Sequence, residues 1–258
     1  MALFLEEENL SYAWGRAFLH IMENPGTEIS PLLISLTGFI DGLPQEDKQV
    51  RECLDRCLLD KEKQKIDTVA NTIFPASYLS KQRYINDRKK IFETYLKCFQ
   101  KIQKSAPSKN KRGTYFERLI HFSDDVEEYG NQLEYIISQY RSRPGVRRTM
   151  FQASIFDPRR DHVGSAQLPF PCLQHISLIP QKDRLTLNGF YATQQIFEKA
   201  YGNYIGLCRL GKFMAREMGL TFERLNCFIG VAKIDTINKS DPTIESLKKI
   251  LHKNSENT

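Results

Sequence analysis

Residues 168–193 read LPFPCLQHISLIPQKDRLTLNGFYAT, and this stretch decides the fold. Cys172–Ile179 and Arg184–Thr193 read as two successive strands. Pro169 and Pro171 flank Phe170 and fix the backbone just before Cys172, giving the thiol a defined direction. Downstream, residues 202–218 predict a helix ended by Gly219, and NCFIGVAKID (226–235) a further strand. Asp241-Pro242 open a short helix through residue 252, as an N-cap followed by proline at the first helical position.

Upstream, Leu10, Trp14, Phe18 and Ile21 recur at helical spacing over residues 9–22, behind a candidate cap at Asn9. Residues 31–39 predict a strand, and 46–60 a helix with Val50, Cys53, Cys57 and Leu58 on one face. Ile66 to Pro75 is rich in β-branched residues and ends on proline, which predicts an extended segment or a strand end. Residues 86–104 form the clearest amphipathic helix, with Ile91, Tyr95, Cys98, Phe99 and Ile102 inward. A helix over 130–142 stops at Pro144-Gly145, and RTMFQASI (148–155) reads as a strand. The mixture is α+β, with one domain over residues 1–258 as the economical reading.

Of the 258 residues, 41% are hydrophobic, enough for a substantial core. No apolar run of about 18 residues could span a bilayer, and the opening MALFLEEE turns acidic at once, unlike a signal peptide. The six cysteines are spread too widely for a disulfide scaffold, which makes a reducing cytoplasm the expected location. Cys53 and Cys57 lie one helical turn apart, but no second pair completes a zinc site, and they read as helix packing. His162 and His175 have no partner at ligand spacing, so no metal is expected. The net charge of +6 favours anionic ligands, and the basic stretch Lys104–Arg112 reads either as a solvated loop or as a phosphate-gathering one. No phosphate-loop glycine motif and no G-x-S-x-G is present.

By itself Cys172 reads as a buried small apolar residue or as a nucleophile. Its surroundings favour chemistry. Pro171-Cys172, the strand to Ile179, the run Leu185–Tyr191, Phe197, Asn203 and the helix GLCRLGKFMAREMGL fall in one order and spacing. That order resembles the thymidylate synthase / pyrimidine hydroxymethylase superfamily. Gly113, Tyr115 and the pair Arg147-Arg148 match further landmarks, so the resemblance covers residues 113–235. Residues 1–112 diverge, and 236–258 form a short helix and tail.

The resemblance implies a mixed sheet with flanking helices, and sheets packing face to face across a homodimer. It implies that Cys172 adds to C6 of a pyrimidine nucleotide, which makes C5 nucleophilic toward a one-carbon donor such as 5,10-methylenetetrahydrofolate. Tyr115 would assist proton removal from C5, and the Asn203 amide would read the pyrimidine edge. Arg147 and Arg148 would reach the phosphate in the neighbouring subunit, where guanidinium forks suit phosphate oxygens. Thr193, Gln195, Lys233 and Asp235 occupy further substrate-binding positions of the family.

The chain also departs from the pattern. Tyr191-Ala192-Thr193-Gln194-Gln195 stands where the family has Gln-Arg-Ser-x-Asp, so Ala192 replaces an arginine that binds phosphate and stabilises the thiolate. Gln195 replaces an aspartate that contacts the folate pterin, and Lys233 and Asp235 replace a histidine and a tyrosine at the sugar. Conversion of dUMP to dTMP is therefore not the expected reaction. Blander readings stand beside each assignment. Tyr115 reads equally as a core tyrosine, Asn203 as a helix cap, Arg147-Arg148 as a solvated loop, and Lys233 with Asp235 as a surface ion pair. Three functions follow: methyl or hydroxymethyl transfer to C5, a catalytically retired nucleotide sensor or assembly subunit, and modification of pyrimidines within DNA or RNA.

Overall fold

The computed structural model describes residues 2–76, 87–105, 112–123, 130–164, 170–234 and 236–255. Its strands are β1 (Leu3–Glu7), β2 (Glu28–Ile29), β3 (Leu32–Leu36), β4 (Gln152–Ser154), β5 (Leu173–Gln181), β6 (Arg184–Gln195) and β7 (Thr221–Lys233). Its α-helices are α1 (Leu10–Glu23), α2 (Lys48–Asp60), α3 (Ile66–Ile73), α4 (Arg88–Ser105), α5 (Tyr115–Ile120), α6 (Gln132–Ser142), α7 (Pro158–Asp161), α8 (Tyr201–Met218) and α9 (Glu245–Ser255). The strands form one mixed sheet in the order β1-β3-β7-β6-β5-β4, with β2 also on β7. β1 runs parallel to β3 and β6 to β7, while the other pairs are antiparallel. The fold is α+β, a mixed sheet with flanking helices.

Alternation along the strands sends Leu5, Ile34, Leu178, Leu187, Leu225 and Ile229 into the core, where they join Trp14 and Phe18 of α1 and most of α8. The opposite face of the sheet is not covered by the chain's own helices. It carries Phe4, Ser35, His175, Asn188, Phe190 and Phe228 around a shallow depression of about 480 Å³. Phe4 is 63% exposed, Phe190 39% and Phe228 40%, and the last two stack with ring centroids 5.4 Å apart. Asn226 Nδ2 donates to Asn188 Oδ1 at 2.9 Å beside them.

The predicted caps are in place. Asn9 accepts from Ser11 N at 2.8 Å, and Asp241 from Thr243 N at 3.0 Å. Cys53 and Cys57 are buried on the inner side of α2, where Cys57 Sγ donates to Thr243 O at 3.3 Å. Burial pushes the Cys57 thiol up to about 12.

Three local expectations need correction, and one strand was not anticipated. Ile66–Pro75 is not extended: Ile66, Val69, Ala70 and Ile73 make the buried stripe of α3, and Asp55 Oδ1 caps Ile66 N at 2.8 Å from α2. Tertiary packing overrides the β-branched content, and glycine makes that packing close. A Cβ on Gly202 of α8 would lie 2.7 Å from Ile66 O, and one on Gly206 2.8 Å from Ala70 O. Residues 148–155 are only partly strand. Arg148–Met150 close a 3₁₀ turn, with Met150 N donating to Arg147 O, and β4 keeps only Gln152–Ser154. The acidic start is a strand, because in β1 Leu5 faces the core while Phe4 and Glu6 face out. β7 begins at Thr221, well before Asn226. Residues 106–111 of the basic stretch, Pro169 and Asp235 lie outside the described residues.

Among the described residues no helix is long and apolar enough to cross a membrane.

Candidate functional site

The site is built where β5 begins and where β6 and β7 end. Cys172 is half-buried just before β5, and its carbonyl accepts from Ala192 N of β6 at 3.1 Å. Thr193 Oγ1 lies 4.0 Å from Cys172 Sγ. The parallel register then sets Gln195 beside Lys233, so both flank the same end of the sheet.

Tyr115 reaches this thiol from α5. Gly113 has φ +90, a conformation that favours glycine, and a Cβ there would meet Glu117 Oε2 at 2.3 Å. The chain turns there into Thr114, whose hydroxyl caps Glu117 N at 3.1 Å, and Tyr115 opens the helix. The Tyr115 ring packs on Phe170, centroids 4.8 Å apart, and its hydroxyl meets the backbone of Cys172 and Leu173. Burial raises the phenol's pKa, with Cys172 adding to the rise, while hydrogen bonds to that backbone oppose it. Tyr115 is therefore a neutral hydroxyl at physiological pH.

β6 leads through a π turn, Ile196–Ala200, into α8. Trp14, fully buried in α1, donates from Nε1 to Ile196 O at 2.9 Å and pins that turn. Asn203 follows in the first turn of α8. It is only 3% exposed, and its side-chain amide makes no hydrogen bond among the described residues. Nearby, Tyr204 donates its hydroxyl to Gln194 Oε1 at 2.7 Å, whereas buried Gln194 Nε2 and Tyr191 Oη have no partner among the described residues.

No protein-family model matches this chain, and no curated protein matches it.

Cys172, Tyr115, Thr193, Gln195 and Lys233 thus lie toward one end of the sheet, and Asn203 sits in the helix that follows β6. Arg147 and Arg148 do not join them. Both are exposed, and Arg148 Nε donates to Pro180 O at 3.1 Å. Pro180 is at the far end of β5, roughly 26 Å from Cys172 at about 3.3 Å per residue. A separate cleft of about 550 Å³ between Phe74, Ile91 and the cations Arg209, Lys212 and Arg216 of α8 contains none of the candidate catalytic or substrate-binding residues. His175 sits on the open sheet face and bonds Gln152 Oε1 at 2.9 Å.

The sequence reading missed Lys199. It lies in the π turn, half-buried, and is electrostatically coupled to Cys172. Burial lowers its proton affinity, while Glu198 and Cys172 raise it and Lys63 lowers it. Its Nζ donates to Gln64 Oε1 at 3.2 Å, a partner remote in sequence that nothing in the local pattern signals.

Proposed function

We propose that this chain is a divergent thymidylate synthase-like enzyme that transfers a methyl or hydroxymethyl group to C5 of a pyrimidine nucleotide, with Cys172 as covalent nucleophile. The observation that carries the reading is Asn203: a buried amide with no hydrogen-bond partner among the described residues, in the first turn of the helix that follows the strand carrying Thr193. An amide offers a donor and an acceptor together, which a pyrimidine C4 carbonyl and N3–H require.

The thiolate adds to C6, and the electron pair moves onto C5 and the C4 oxygen. C5 then attacks the methylene carbon of a reduced folate, 5,10-methylenetetrahydrofolate, taken up as co-substrate. Tyr115, neutral at physiological pH, relays the C5 proton through ordered water rather than as a phenolate. Loss of that proton breaks the bond from the methylene carbon to the folate nitrogen, so the folate leaves and an exocyclic methylene remains. Water adding to this carbon gives the hydroxymethyl product, and a hydride from the reduced folate, which departs as dihydrofolate, gives the methyl product; either addition expels the thiolate and restores the ring. Thr193, Gln195 and Lys233 line the same end; Gln195 is the amide that would meet the pterin, and Lys233 a cation for the sugar side.

A homodimer completes this reading. The open sheet face, with exposed Phe4, Phe190 and Phe228, suits a second copy packed face to face. Arg147 and Arg148, remote from their own Cys172, would then serve the phosphate of the partner's site.

The test is covalent. The protein is incubated with 5-fluoropyrimidine nucleotides and the folate donor, and its Cys172 peptide is examined by mass spectrometry. An adduct at Cys172 is expected. Nucleotide binding without any adduct would replace the enzyme with a nucleotide-binding module, a reading that Ala192 in place of the family's arginine favours.

A further inference from the structure

We propose that the cleft between α3, α4 and α8 binds a small amphiphilic anion, an apolar body carrying one carboxylate, with Lys212 as its counter-ion. The cleft, of about 550 Å³, has the size and the mainly apolar lining of a small-molecule site. Its buried lining comes from Phe74 at the end of α3, Ile91 of α4, and Ile205 and Phe213 of α8. The rings of Phe74 and Phe213 lie 5.2 Å apart between centroids. Leu43, 44% exposed, forms the rim with Pro44. That rim is held by a tight turn, in which Ile40 N donates to Leu43 O and Leu43 N to Ile40 O, each at 2.9 Å.

The cations at 209, 212 and 216 recur three and four residues apart, so α8 presents them on one face. Two of them are matched by carboxylates. Arg209 Nη2 meets Asp67 Oδ1 at 2.5 Å, and Arg216 Nη2 meets Glu217 Oε1 at 2.8 Å. The carboxylate in the cleft wall, Glu46, is held by Arg51 at 2.6 Å and by the Tyr201 hydroxyl at 3.0 Å. Lys212 is different: half-buried, it makes no hydrogen bond or ion pair among the described residues. Its stem runs along the turn at Gly42, which has φ +70, and a Cβ on that glycine would come within 3.2 Å of Lys212 Cγ. The wall thus offers one unmatched ammonium beside a greasy lining. A ligand with one anionic group and an apolar body satisfies both. A polyanion would meet a single unmatched cation and would strand its remaining charge.

Calorimetric titration with octanoate tests this, with 1-octanol as the neutral control. Octanoate is expected to bind about tenfold more tightly than octanol. Lys212→Met should weaken octanoate about tenfold and leave octanol unchanged, and Lys212→Arg should restore most of the loss. Leu43→Glu, at the exposed rim, should weaken octanoate through like-charge repulsion. Wild type that binds no octanoate overturns the proposal whether or not the variants fold. Equal affinities for octanoate and octanol overturn it, as does octanoate affinity unchanged in folded Lys212→Met. Octanoate binding that is lost in Phe228→Asp but kept in Lys212→Met puts the probe on the open sheet face and overturns it too.

Discussion

The Arg118 guanidinium carbon lies 4.8 Å from the centroid of the Phe170 ring, two residues before Cys172. Arg118 is itself fully buried and holds Asp161 through two contacts, Nη1–Oδ2 at 2.5 Å and Nη2–Oδ1 at 2.9 Å. It also donates to Ile155 O at 2.9 Å and, from Nη2, to Arg112 O at 3.0 Å. A buried ion pair thus stands behind the approach to the thiol.

Asp161→Asn should be severely destabilising. Removing one partner of a buried pair strands the other charge, at a cost of about 3–5 kcal/mol. Denaturant unfolding of the variant against wild type checks the value. A loss under about 1 kcal/mol would show that solvent reaches Arg118.

Asn203→Ala should separate binding from stability. Its amide has no hydrogen-bond partner among the described residues, so folding stability should change little, whereas pyrimidine nucleotide affinity should fall by about 1–3 kcal/mol, roughly tenfold or more. Calorimetric titration together with thermal melting reads both. Equal affinity in the two proteins removes Asn203 from the site.

Phe228→Asp tests the open face. If two copies pack through the sheet, a carboxylate beside Phe190 should dissociate them while each protomer stays folded, because Phe228 lies outside the core. Sedimentation velocity of wild type and variant decides it. A wild type that sediments as a monomer at high concentration rejects the interface.

Acid should weaken the join between α2 and α9. Lys61 and Thr243 hold the Asp241 carboxyl at about 2, below its ordinary value of 3.8. A depressed pKa gives stability that is fully present above the unfolded value and disappears as pH falls through the folded one. Asp241→Ala should therefore cost about 1 kcal/mol at neutral pH through the lost cap. The difference should shrink between 3.8 and about 2. Urea unfolding at several pH values follows the gap; a gap that is constant down to pH 2 contradicts the assignment.

Much of the fold was legible because its signals are local. Asn9 and Asp241 are capping residues beside helical patterns, α8 carries its apolar stripe up to Gly219, and β5 and β6 flank a polar break. Ile66–Ile73 misled because its cap comes from Asp55 on another helix and its packing surface from Gly202 and Gly206. β1 was hidden by glutamates that face solvent on one side only. At the site, Cys172, Tyr115 and Thr193 could be named in advance and do converge, with Asn203 in the helix that follows β6. The setting of Lys199 could not, since it depends on a π turn that no residue pattern announces.

Gly202 and Gly206 have a mechanical consequence for the candidate site. With no side chain between them, α3 and the opening turns of α8 touch backbone to backbone and behave as one solid piece. Lys63 and Gln64 lead into α3, and Glu198 and Lys199 lead into α8, each pair clasping the other. The two sides of the mouth are therefore yoked. Were a ligand to press on the Lys199 turn, the Lys63–Gln64 segment would move with it, because the two are tied by both contacts.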